Sequence, residues 1–182
     1  MALDMEEKPR NKALWDLASK DGIALGMLSV ACLALKQLLS GWEGGASNLV
    51  GALVWAIQFF GAIFLLRAFM KKFTEGNDEA TSLDTYMLGK RICLFSSLIL
   101  AVATTALVVY YPDNLLTRQF NMMMEQYSSM MDAASRETLA GTTLSDSPGV
   151  IFFSQFIYAY VYGLVLSAIL SRRIPGPKTN PQ

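Results

Sequence analysis

Four long apolar stretches constrain this chain more than any other feature. They run over residues 22–39, 48–70, 90–111 and 149–171, and each is close to the ~20 residues of helix needed to cross a hydrocarbon core. Short polar stretches separate them, which is the pattern of a multispan membrane protein. With 53% hydrophobic and only 16% charged residues, the 182-residue chain is also more apolar than an ordinary soluble domain. The expected fold is all-α, an integral membrane four-helix bundle over residues 22–171. A segment over residues 1–21 precedes it and a tail over residues 172–182 comes after.

Basic residues orient the spans, because Lys and Arg concentrate on the cytoplasmic side. Lys8, Arg10, Lys12 and Lys20, then Arg67, Lys71, Lys72, Lys90 and Arg91, then Arg172, Arg173 and Lys178 all fall on one side. The other side holds Arg118 and Arg136. Both termini are therefore expected in the cytoplasm. Trp15 at the inner boundary and Trp42, Tyr110 and Tyr111 at the outer one fit headgroup-level anchors. The glycine-rich connection Ser40 to Ser47 makes the first two spans an antiparallel hairpin. Lys71 to Asp84 reads as a polar cytoplasmic loop, with Thr81, Ser82 or Asp84 available to cap a turn leading into the third span. The N-terminus is charged throughout and lacks the layout of a cleavable signal, so the first span is expected to be retained.

Composition narrows the chemistry. The chain has no histidine, the commonest metal ligand and neutral-pH base. Its formal net charge is zero, so no basic excess points to nucleic acid. Cys32 and Cys93 fall in apolar runs at different depths and read as buried thiols. No nucleophile elbow, phosphate loop or metal-ligand spacing is present. Glu75, Asp78, Glu79 and Asp84 read as a solvated acidic loop. No Asp or Glu lies in mid-span, which disfavours a proton-coupled carrier acting alone. No catalytic residue, metal or cofactor is expected.

Surfaces for interaction are more evident than reactive groups. Gly22 and Gly26 form a G-x-x-x-G pair, and Ala159, Gly163 and Ser167 recur four apart on one face, as do Ala52 and Ala56. Small residues let helix backbones approach in lipid. Packing inside the bundle is the preferred reading and a docking face for a partner the sharper one. Between the third and fourth spans, residues 114–140 are expected to form a periplasmic amphipathic helix, with a stripe of Leu116, Phe120, Met123, Tyr127, Met130 and Ala134. Its methionines Met122, Met123, Met124, Met130 and Met131 fill an apolar face or contact a partner or lipid. Thioethers also bind copper(I), but neither histidine nor cysteine accompanies them. Lys36, Gln58, Gln155, Tyr158 and Tyr162 are the candidate polar lining within the spans. Lys36 sits near the outer end of the first span, where its stem is expected to snorkel to the headgroups or pair with Glu43 or Asp113.

The stretches "LWDLASKDGIALGMLSVACLAL", "FMKKFTEGNDEATSLDTYMLGKRICLFSSLI" and "IPGPK" resemble a bacterial membrane family catalogued as domain of unknown function 4199. The resemblance covers nearly the whole chain and rests on membrane-flank patterns. It implies a four-span inner-membrane protein of Gram-negative envelopes, with no assigned activity or catalytic residues. It also implies gene neighbours among polyprenyl-phosphate sugar transferases, and so one candidate partner beside membrane lipids and a second copy of the chain.

The leading expectation is a non-enzymatic membrane subunit or scaffold acting through its small-residue faces and Met-rich helix. The alternative is a lipid or lipid-linked-sugar binding or transport accessory protein. The orientation has a direct check by reporter fusion. Green fluorescent protein fused after Gln182 should fluoresce, and alkaline phosphatase fused after Met131 should be active; the reverse pattern would invert the topology.

Overall fold

The computed structural model of the chain describes residues 3–39, 45–77, 80–111, 115–128 and 148–174. The described elements are α1 (Leu3–Leu39), α2 (Gly45–Glu75), α3 (Ser82–Tyr110), α4 (Leu115–Ser128) and α5 (Pro148–Arg173). Of these, α1, α2, α3 and α5 are long and apolar enough to cross a membrane, so the chain is a multi-pass membrane protein.

The helices outrun the apolar stretches that announce them. The 37 residues of α1 rise roughly 56 Å, well beyond a hydrocarbon core of about 30 Å. The polar loop expected from Lys71 begins later, because α2 continues to Glu75. Lys71 and Glu75 pair at 3.3 Å across one turn, and Thr74 Oγ1 donates to the Lys71 carbonyl at 2.8 Å. Apolar patterning marks where lipid ends, whereas a helix persists into water while local partners support it. Thr81 then caps α3. Its hydroxyl accepts from Asp84 N–H at 3.2 Å, and Asp84 Oδ2 accepts from Thr81 N–H at 3.0 Å, a reciprocal capping box.

The four long helices do not pack equally. α3 lies between α1 and α5 with extensive contact to both, whereas α2 rests mainly on α1 and touches α3 and α5 little. Small residues make the α3 contacts close. A Cβ added at Gly22 would meet Phe95 Cβ at 2.6 Å, and one at Gly26 would meet Ile99 at 2.9 Å. On the opposite flank, a Cβ at Gly163 would meet Cys93 Cβ at 2.6 Å and one at Gly89 would meet Ser167 Oγ at 2.8 Å. Lipid supplies no hydrophobic drive between helices, so such backbone approach and its dispersion contacts supply the adhesion. Both small-residue faces are thus turned inward onto α3. The Ala52 and Ala56 pair makes no comparable seam, since Ala52 is exposed.

The end where α3 begins is closely packed. Leu66, Met70, Leu88 and Ile92 are almost fully buried there, and Ser82 Oγ donates to the Ser171 carbonyl at 3.1 Å, tying α3 to the end of α5. Ile174 is buried against the same cluster, so the chain stays packed one residue past α5. Trp15 stands edge-on to Phe95 at 5.8 Å, with the Arg91 guanidinium 4.8 Å above its ring. Cys32 and Cys93 are both free and buried.

The glycine seam predicts a sharp contrast. Gly163→Ala should lower stability by about 1–3 kcal/mol, since the α3–α5 approach must open. Gly51→Ala, which meets nothing within 4 Å, should be neutral or stabilising by up to ~1 kcal/mol. Unfolding of the detergent-solubilised protein checks both.

Candidate functional site: a polar-headed cavity

Because α3 is held to α1 and α5 while α2 is held to α1, a gap remains between α2 and α5. It widens into a cavity of ≈ 380 Å³ bounded by α1, α2, α3 and α5. That lies in the lower part of the ~300–1,000 Å³ range of small-molecule sites. Ser29, Leu33 and Lys36 line it from α1, Trp55, Gln58 and Phe59 from α2, Ser96 and Thr104 from α3, and Gln155, Tyr158 and Tyr162 from α5. Leu116 of α4 reaches its end beside the α1–α2 hairpin. All five expected polar lining residues therefore meet in one place.

Lys36 is turned toward α2. Its Nζ donates to Gln58 Oε1 at 2.9 Å, and the residue is half-buried. Helical side chains lean toward their own N-terminus. Lys36 at the end of α1 therefore leans into the membrane, while Gln58 on the antiparallel α2 leans toward the hairpin end, and the two meet. The expected neighbours Glu43 and Asp113 lie outside the described residues. Among the described residues lining the cavity none is a carboxylate, and Lys36 is the sole cation.

Polarity is graded along the cavity. Lys36, Gln58 and Thr104 lie toward the hairpin end, and Leu25, Leu66, Cys93 and Leu166 form the far floor. From Lys36 to Leu25, α1 rises roughly 16 Å. The hydroxyls of Ser29 and Ser97 are turned to their own helix, donating to the carbonyls of Leu25 at 3.2 Å and Leu94 at 2.9 Å. They therefore add little polarity to the wall. On the side between α2 and α5, Phe59 and Tyr162 face each other with centroids 6.0 Å apart. Tyr158 is 74% exposed, so this flank opens sideways toward lipid.

The other candidates lie elsewhere. Gly22, Gly26 and Ser167 are spent on helix packing, while Ala159 and Gly163 border the cavity as well. On α4, Leu116 and Phe120 are half-buried, but Met122, Met123 and Tyr127 are exposed, so among its described residues the stripe is covered at its start. Met130 and Met131 lie outside the described residues, as does the side chain of Met124. Trp55, Phe59 and Ser29 were missed as lining. The signal for Ser29 was available, since Leu25, Ser29, Leu33 and Lys36 recur at helical spacing on one face of α1.

Residues 20–173 match the family model described as "Protein of unknown function (DUF4199)". No curated protein and no solved structure matches the chain.

The Lys36–Gln58 bond predicts a measurable coupling. A double-mutant cycle of Lys36→Met and Gln58→Leu should give about 0.6–1.7 kcal/mol of interaction energy, the span seen for polar pairs within membranes. Additive effects would place the ammonium elsewhere.

Proposed function

The chain belongs to this family of unknown function, and we propose that it is an inner-membrane protein, with both termini cytoplasmic, that binds a lipid or lipid-linked amphiphile in the cavity between α2 and α5. One observation carries the reading: the cavity has a polar end and an apolar floor, the same sidedness as an amphiphile. Its lining of Leu, aromatic and small residues with a few convergent polar groups is the usual make-up of a small-molecule site. The lateral opening between α2 and α5 leads to the bilayer, from which such a ligand would enter. Nothing in this role needs a nucleophile or a metal, and we propose no enzymatic step.

A second reading, a membrane scaffold, draws support from α4. Met122 is 61% and Tyr127 53% exposed, and flexible Met-rich surfaces accept varied partners. The small-residue faces offer this reading less, because they are occupied by contacts on α3.

Filling the cavity separates the two. Ala62→Phe or Ala159→Phe, each at a lining position, should cut co-purifying lipid about tenfold, equivalent to ~1.4 kcal/mol, without lowering Tm. Unchanged lipid content in both folded variants would refute the amphiphile site. Loss of a protein partner on Met123→Lys, with lipid content intact, would favour the scaffold.

A further inference from the structure

We infer that the cavity selects amphiphiles with an anionic headgroup, and that the Lys36–Gln58 pair is the element that recognises the charge. This rests on the amphiphile reading above and names the ligand class for the same cavity. An ammonium carries three N–H donors and no acceptor. Gln58 takes one of them through Oε1 at 2.9 Å. That bond fixes the amide orientation, because Oε1 must face the ammonium. Gln58 is left presenting N–H groups, so the pair offers donors to whatever lies beside it.

The charge balance points the same way. Among the described residues that line the cavity, Lys36 is the sole cation and none is a carboxylate. The half-buried Lys36 ammonium has a neutral amide as its bonded partner, which does not balance its charge. An anion beside it would restore neutrality and accept the remaining N–H groups, forming charge-assisted bonds. A choline headgroup carries the same phosphodiester but brings a quaternary ammonium beside it, which cancels the net charge offered to Lys36. The position along the cavity fits a lipid held by its head. Lys36 marks the hairpin end, and the apolar floor at Leu25, Leu66 and Leu166 lies roughly 16 Å of helix rise beyond it. One acyl chain would track that floor while a second remained in the bilayer through the α2–α5 opening.

The test is native mass spectrometry of the full-length protein in detergent, loaded with phosphatidylglycerol or phosphatidylcholine of identical acyl chains. Wild type should retain phosphatidylglycerol about fivefold better, the effect of one lysine near an anionic lipid. Lys36→Met should abolish the preference and Lys36→Arg should keep it. Oleate should compete with phosphatidylglycerol, whereas millimolar inorganic phosphate should not, which assigns the anion to a lipid. Displacement by inorganic phosphate alone would overturn the inference in favour of a free-anion site. Equal retention of both lipids, unaffected by Lys36→Met yet lost in Ala62→Phe, would overturn the charge selection while leaving the amphiphile reading standing. Retention of neither lipid by wild type would sink both.

Discussion

The close approach of α3 to its two neighbours decides the rest of this structure. Gly22 and Gly26 let α1 lie against Phe95 and Ile99, and Gly163 lets α5 lie against Cys93. Within a bilayer, helices adhere through such contacts because lipid is as apolar as the side chains themselves. Once α3 is committed on both flanks, α2 has α1 as its main support and comes to α5 chiefly through side chains such as Phe59 and Tyr162. The cavity is a consequence of that unequal arrangement.

The molecule is thus divided along its length. At the end where α3 starts, Leu66, Met70, Leu88 and Ile92 fill the interior, and the capping box at Thr81 and the Ser82–Ser171 bond fasten the helix ends. Toward the other end the cavity separates the helices and carries Lys36 and Gln58, while Ala101 and Val108 of α3 remain fully buried. The filled end holds the fold together, and the cavity lies beside it. The cost of placing Lys36 in such a region is partly offset by its bond to Gln58.

Much of the architecture was legible in the residues. Spans, a cap among Thr81, Ser82 and Asp84, and the small-residue faces can be read from apolar run length, capping chemistry and four-residue spacing. The candidate polar residues Gln58, Gln155, Tyr158 and Tyr162 were also visible, since uncharged polar groups stand out in apolar runs. Which surface each small face meets was not visible, because Gly89 and Cys93 on α3 become a counter-surface only when α5 crosses them. Helix ends were misjudged where polar residues continue a helix beyond the lipid, as at Lys71 to Glu75.

Lys36 marks the boundary between the two sources of information. The residues alone specify an all-helical membrane chain with this lysine near one end of its first span, since length, apolarity and spacing are local properties. Its direction is beyond local properties, because an outer-boundary lysine reaches headgroups or interior equally well on length alone. Only the packed helices resolve it. The N-terminal lean of side chains on two antiparallel helices brings Lys36 and Gln58 together at 2.9 Å, and the gap left by α3's commitments turns that meeting into the polar end of a cavity.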